Sequence, residues 1–380
     1  MLRVLNALFD DRFGGPQRRV IEVGEHLQRK EVGTVLLVPK GDGGAAVVAA
    51  SRGLECVRVS LKRIPKPREI VQLLAWLLWL PVDVFKVVSV IKERQIDLVH
   101  VNGAFFLAPA LAAKFLRKPL VWHLNDTVVP SGVARGLGWL VQRLADEVIV
   151  AAEAVVLHYG IKGENYHVIH APVDVTRFGV KRASLHRGRR KRIGLVGNWN
   201  PLKGLEVFVQ ASAIIKQFIT DVEFIMAGAR LDSHAGYAQD IDQLIDRLDL
   251  RENIQCEGFI DDMPQFFRGL DVLVLSSWSE ASPKAVLEAM AAGVPVVATD
   301  VGGVREILAP SGDDAAGVVV PKADADGIAW QVIRILEDKK LAICMGENGR
   351  ERANALFSLE KCVENHLAVY RKVESQLVVR

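Results

Sequence analysis

The sequence is poor in features that announce a metal, a disulfide scaffold or nucleic acid. Four cysteines, Cys56, Cys256, Cys344 and Cys362, are scattered without ligand spacing, which argues against a cysteine-held metal and a disulfide framework. The charges nearly cancel, 48 Lys and Arg against 45 Asp and Glu for a net +3, so no basic field marks a nucleic-acid binder. No G-x-G-x-x-G follows the first strand pattern, which disfavours a nicotinamide or flavin site. The opening MLRVLNALFDD meets acids before a signal-peptide core could form. Neither a repeat of solenoid length nor a low-complexity tract is present. A reducing, cytosolic setting is the expectation.

What is present is a large supply of core. The chain has 380 residues, 50% hydrophobic and 24% charged, which suits two folded domains. Short β-branched runs alternate with amphipathic helical runs through both halves. Leu2–Leu8, Thr34–Val38, Leu98–Val101, Leu120–His123 and Val148–Val150 read as strands buried on both faces of a parallel sheet. The second half repeats the scheme at Ile193–Val196, Val222–Ala227, Ile254–Cys256, Val272–Leu275, Val294–Thr299 and Val318–Val320. This pattern predicts an α/β protein with two Rossmann-like, doubly wound parallel-sheet domains facing a cleft. The boundary is expected in the basic stretch Lys181–Arg192, giving domains of residues 1–180 and 181–358. That stretch suits a solvated linker, or a share in holding an anionic acceptor or membrane.

The apolar run Leu73–Val82 carries Trp76 and Trp79 and follows Lys62, Arg63, Lys66 and Arg68. A spanning helix needs about 20 apolar residues, and Gln72, Asp83 and Lys86 bracket something shorter. Two readings stand: a core-facing helix, or a helix lying on the inner membrane surface through the Lys62–Val90 region.

The loops after strands should carry the chemistry, because ligands of open α/β sheets bind beyond the carboxyl ends of the strands. After the first strand, Asp10–Pro16 holds Gly14 and Gly15, which permit close backbone approach ahead of a helix. In the second half, Gly197–Gly204 (GNWNPLKG) places Asn200 to cap, Pro201 to start a helix and Lys203 in its first turn. A cation there opposes the helix dipole, so a bound phosphate would relieve the conflict. The most informative stretch is Ser276–Gly303. Ser282 suits an N-cap, Pro283 the first helical position and Lys284 the next, with Gly293 ending the run. Glu280 then sits in the loop before that helix and Glu288 projects from it. An anion seat between two carboxylates suits a sugar nucleotide, with the sugar at one end and the ribose at the other. His123, ending a strand, is either a ligand to a sugar hydroxyl or a satisfied buried histidine. Asp126 reads better as a loop cap. Gly302 and Gly303, ahead of Glu306, allow either a ligand's close approach or a plain turn. Asp324–Asp326 and Asp240–Asp242 have D-x-D spacing but read as a helix cap and a polar helix face, so no essential metal and no cofactor are expected.

Together these residues resemble the family 4 retaining glycosyltransferases, which have the GT-B fold. The resemblance covers nearly the whole chain and is most specific from Glu280 through Glu288 to the Ala-Met-Ala-Ala-Gly run ending at Gly293, with Gly14-Gly15 and Lys203-Gly204 in support. It implies that Glu280 lies against the donor sugar, Glu288 binds the ribose hydroxyls and Lys203 neutralises the diphosphate. Backbone N–H groups around Gly15 and Ser282 would assist, and His123 would face the sugar. It also implies that the final helix, about residues 359–380, packs back on the first domain. The family usually has an arginine where Asn198 stands, and Arg18, Arg230 or a basic residue of the Lys181–Arg192 linker could substitute. The implied enzyme is a retaining, metal-independent bacterial hexosyltransferase. It would use a UDP-, GDP- or ADP-sugar and a cell-envelope glycan or lipid-linked acceptor, in the cytoplasm or peripherally on the inner membrane face. The rivals are a sugar-nucleotide epimerase or phosphorylase on the same fold, and a non-catalytic membrane-associated partner.

Overall fold

Strands and helices alternate along the chain as the β-branched and amphipathic runs alternate in sequence. The computed structural model describes residues 1–41, 43–62, 70–179, 190–309, 311–312 and 314–378. Most of the basic stretch from Lys181 lies outside the described residues, as do Arg63, Lys66 and Arg68. Two units emerge: Met1–His170 with Leu359–Arg380, and Ala171–Ser358. The division thus falls at 170/171 rather than at 180/181. The reason is packing: Val173 and Phe178 are fully buried in the second unit's core.

The first unit holds β1 (Leu2–Ala7), β2 (Val32–Pro39), β3 (Glu55–Val59), β4 (Leu98–Asn102), β5 (Leu120–Leu124), β6 (Glu147–Val150) and β7 (Tyr166–Val168). Its helices are α1 (Gly15–Gln28), α2 (Ala45–Ser51), α3 (Ile70–Glu93), α4 (Leu107–Phe115), α5 (Ser131–Leu144) and α6 (Glu153–Tyr159). All strand pairs are parallel, in the order β3-β2-β1-β4-β5-β6-β7.

The second unit has α7 (Val175–Phe178), then β8 (Lys191–Val196), α8 (Leu205–Phe218), β9 (Val222–Ala227), α9 (Ala235–Arg247), β10 (Ile254–Glu257) and α10 (Met263–Gly269). It continues through β11 (Val272–Leu275), α11 (Lys284–Ala291), β12 (Val296–Thr299), α12 (Val304–Leu308), β13 (Gly317–Val320), α13 (Ala325–Glu337) and α14 (Lys339–Leu356). The last helix, α15 (Leu359–Val378), returns to the first unit, where Val363, Val369 and Val373 pack with Val4, Leu98, Val121 and Ile149 of the sheet.

The second sheet is parallel in the order β10-β9-β8-β11-β12-β13. Strand β11 shows why its sequence is continuously apolar. Val272 and Val274 enter the core under α8 and α13, while Leu273 and Leu275 enter the opposite core against Val286 and Met290 of α11. In both sheets the strand order reverses once, between β1 and β4 and between β8 and β11. Loops leaving the carboxyl ends of such a pair diverge to opposite faces and open a crevice for ligand.

Candidate active site

The second unit builds its polar site from the two strands flanking that reversal. After β8, Asn200 Oδ1 accepts from the Leu202 backbone N–H at 3.0 Å and opens a short turn, Pro201–Lys203. Gly204 ends the turn with φ of +60°, and a Cβ there would lie 2.1 Å from the Ser276 carbonyl oxygen. The turn is therefore pressed onto the end of β11, a contact only glycine permits. Lys203 is the last residue of this turn rather than part of the first turn of a long helix, because Gly204 breaks the chain ahead of α8.

The Lys203 stem lies across Gly197, whose hypothetical Cβ would be 3.0 Å from Lys203 Cδ. From there Lys203 Nζ reaches Glu280 Oε1 at 2.7 Å, with side-chain exposures of 28% and 13%. Ser277 Oγ donates to the same oxygen at 2.8 Å, and Thr299 Oγ1 donates to the Ser277 carbonyl at 2.6 Å. Ser276 Oγ donates to the Lys203 carbonyl at 3.1 Å, and the Trp278 N–H to the Leu202 carbonyl at 2.8 Å. The Trp278 indole donates to Glu206 Oε1 at 2.8 Å. The two loops are laced together, and the lysine and the carboxylate meet at the crevice their strands define. Sequence spacing singles out Lys203 and Glu280, which the fold brings into contact. It gives no signal for Ser277, three residues before Glu280, or for Thr299 and Glu206, whose contacts come from elements distant in sequence.

Helix α11 starts at Lys284, with Pro283 in the cap position and no side-chain cap. Ser282 is not the cap: its Oγ accepts from the Ala171 N–H at 2.9 Å, so its hydroxyl ties the chain's entry into this unit. Glu288, one turn into α11, is only 3% exposed, among core residues Val286, Leu287 and Met290. Gly302 serves the protein's own backbone. Its φ is +50°, and a Cβ would fall 1.5 Å from the Glu280 carbonyl oxygen. Gly302→Ala is therefore expected to push the Glu280 loop outward. It should lower the melting temperature by several degrees and reduce whatever activity depends on Glu280; an unchanged melt and unchanged activity would show that the loop does not need this contact.

Asn198 is exposed, and its Oδ1 accepts from the Ala229 N–H at 3.1 Å, joining the turns after β8 and β9. Arg230 stacks over Trp199 at 4.2 Å and pairs bidentately with Asp242 at 2.6 and 2.8 Å, while Arg18 pairs with Glu22 at 2.9 Å. Asp324 caps α13 by accepting from Gly327 N–H at 2.7 Å, and Asp242 is engaged by Arg230 and Arg251, as the helical readings of both D-x-D pairs hold.

In the first unit, Gly14 and Gly15 are exposed at the N-terminus of α1, with no side-chain cap. His123 departs from the expectation of a ligand-facing ring. It is fully buried, the penultimate residue of β5, with Arg19 Nη1 donating to its Nε2 at 2.8 Å and the His100 ring stacked 5.6 Å away. The same guanidinium donates to Asn102 Oδ1 at 2.7 Å. His100 Nδ1 meets the Tyr370 hydroxyl at 2.7 Å, and His366 Nδ1 donates to the Cys362 carbonyl at 2.8 Å. Helices α1 and α15 thus seal the His123 side of the sheet, and burial, with Arg19 next, holds His123 well below its ordinary pKa. No local pattern in LVWHLND could show this, since the covering residues lie near the two chain ends.

Two parallel α/β units, each with one reversal of strand order and the second with a polar cluster at its switch point, form the architecture of the GT-B class of glycosyltransferases. Comparison with known proteins agrees. Residues 13–177 match the profile described as Glycosyltransferase Family 4, and residues 178–352 match that of Glycosyl transferases group 1. The chain belongs to this glycosyltransferase family.

Among curated relatives, the lipopolysaccharide core biosynthesis mannosyltransferase LpsB of Rhizobium meliloti is 26% identical over 292 residues, covering 74% of this chain and 81% of LpsB. The MMP alpha-(1->4)-mannosyltransferase of Mycolicibacterium hassiacum is 27% identical over 69% of this chain, a match spanning 61% of that protein. Among solved structures, Anabaena HepE in complex with UDP and glucose superposes with a TM-score of 0.78 at 21% identity, over 100% of both chains.

Proposed function

We propose that this glycosyltransferase moves a hexose from a nucleoside-diphosphate sugar to a cell-envelope glycan or lipid-linked acceptor, with retention at the anomeric carbon and without a metal. The observation that carries this reading is the Lys203–Glu280 pair at the switch point of the second sheet. An incoming diphosphate competes for Lys203 Nζ, and the carboxylate it releases turns to the hydroxyls of the adjoining sugar. Charge then develops on the departing diphosphate where a fixed cation already stands, and preorganised stabilisation of that kind is the largest single contribution in many enzymes. The bond from the anomeric carbon to the diphosphate oxygen breaks as the acceptor oxygen attacks from the same face. The acceptor's proton passes to the diphosphate. Glu280 positions and stabilises the sugar in this scheme and forms no covalent adduct.

The relatives' names support the substrate class, as two are mannosyltransferases and one neighbour binds UDP and glucose. The reading places the enzyme in the bacterial cytoplasm, against the inner membrane face when the acceptor is lipid-borne. A thermal-shift screen across UDP-, GDP- and ADP-sugars tests it. One nucleotide class at about 100 times its Kd should raise the melting temperature by roughly 5–10 °C. No shift with any of them would contradict it.

A further inference from the structure

We propose that the outer face of α3, continued by Phe115 of α4, is a docking surface for an anionic lipid bilayer, on which the enzyme lies rather than inserts. The observation is an inversion of the usual helix pattern. A surface helix ordinarily turns its charged side to solvent. Here the exposed positions from Leu74 to Phe85 carry no charge, and Leu74, Leu78, Val82 and Phe85 form a stripe at i, i+4, i+8, i+11 spacing. Leu77 and Trp79 flank it, and Leu78 is 81% exposed. The acid within this stretch, Asp83, faces inward, accepting from the Lys62 N–H and from Lys86 Nζ, both at 2.8 Å. The face spans two elements, because Phe115 of α4 is exposed and meets Phe85 edge-on at 6.1 Å.

Length and composition would let Leu74–Glu93 cross a membrane. Packing argues otherwise: Trp76, Val87, Val90 and Ile91 are buried on the opposite side, and α4 packs along the helix. A helix with one side sealed against its own domain can offer only the other to lipid. The charges at the rim choose the kind of lipid. Lys62 Nζ sits 4.0 Å over the Trp79 ring, a cation-and-indole pair suited to headgroup depth, and Arg117 is exposed just past Phe115. Neither α4 nor the exposed side of α3 from Leu74 to Ser89 carries an acid that would repel an anionic surface.

This contact deepens the proposed function by bringing the enzyme to a lipid-borne acceptor, and only that acceptor assignment rests on the earlier reading. The test uses the full chain and vesicles of phosphatidylcholine with or without phosphatidylglycerol, in co-sedimentation without donor or acceptor. Binding should require the anionic lipid and weaken with salt. Leu74→Glu with Leu78→Glu should lower the partition at least tenfold while the circular-dichroism melt stays unchanged, since both side chains are exposed. Wild-type protein that ignores anionic vesicles would overturn the proposal. So would a wild-type dimer that the double variant turns into monomer, with no vesicle binding by either, because the face would then join two copies of the chain. Failed sugar transfer would leave the vesicle result intact, and failed vesicle binding would leave transfer to a soluble acceptor intact, so the two readings fail separately.

Discussion

Lys203→Ala is expected to lower sugar transfer by roughly 100- to 1,000-fold, the loss typical of removing one preorganised donor that faces developing charge. Nζ is the group that would meet the diphosphate, and Arg18 and Arg230 are both committed elsewhere, to Glu22 and Asp242. The fold should survive. The Lys203 side chain is partly exposed, and the loops around it remain tied by Ser276, Trp278 and Thr299. Glu280→Ala should also lose most activity. The double variant should be little worse than either single one, because the two side chains share one hydrogen bond and act on one bound molecule. Losses that multiply, or full activity in either single variant, would separate the pair from the chemistry.

The second large effect concerns acid. His100, His123 and His366 are buried together in the first unit around Arg19, itself lowered to about 10 by the same burial. Burial depresses all three histidines, and His366 falls from 6.5 to about 4. The folded state therefore holds these rings neutral where the unfolded chain would protonate them. Stability from this source is fully present above pH 6.5 and is lost as pH falls below it, down to about 4 for His366. At pH 5 the loss from His366 is about 2 kcal/mol, and His100 and His123 add in the same direction. Denaturant melts should thus show the midpoint dropping steeply between pH 7 and pH 5. The slope should ease in His366→Phe, which removes one titrating ring. A flat profile across that interval would mean the cluster is not buried as a neutral unit.

The interior strands were legible because strands buried on both faces write themselves as continuous β-branched runs, and Val222–Ala227 and Val272–Leu275 match residue for residue. The strands that escaped notice, β3 (ECVRV) and β7 (YHV), lie at the first sheet's edges, where partial exposure lets polar residues in. Local chemistry also singles out Lys203, beside its Asn200 cap, and Glu280, ahead of the Pro283 helix start, and the fold brings the two into contact. Ser282 misled for a related reason: a serine before a proline looks like a cap, but its hydroxyl answers Ala171, a partner far away in sequence. His123 was ambiguous on the same grounds. Its partner Arg19 sits on α1, and His366 sits on α15, which periodicity cannot bring together with a strand in the middle of the chain.

On this account Lys203, at the β8–β11 switch point, anchors a nucleoside diphosphate. Isothermal titration of UDP, GDP and ADP into the wild-type chain and into Lys203→Ala measures it directly. One diphosphate should bind the wild type and bind the variant at least tenfold more weakly; equal affinity in the two proteins, or no binding to either, would contradict it.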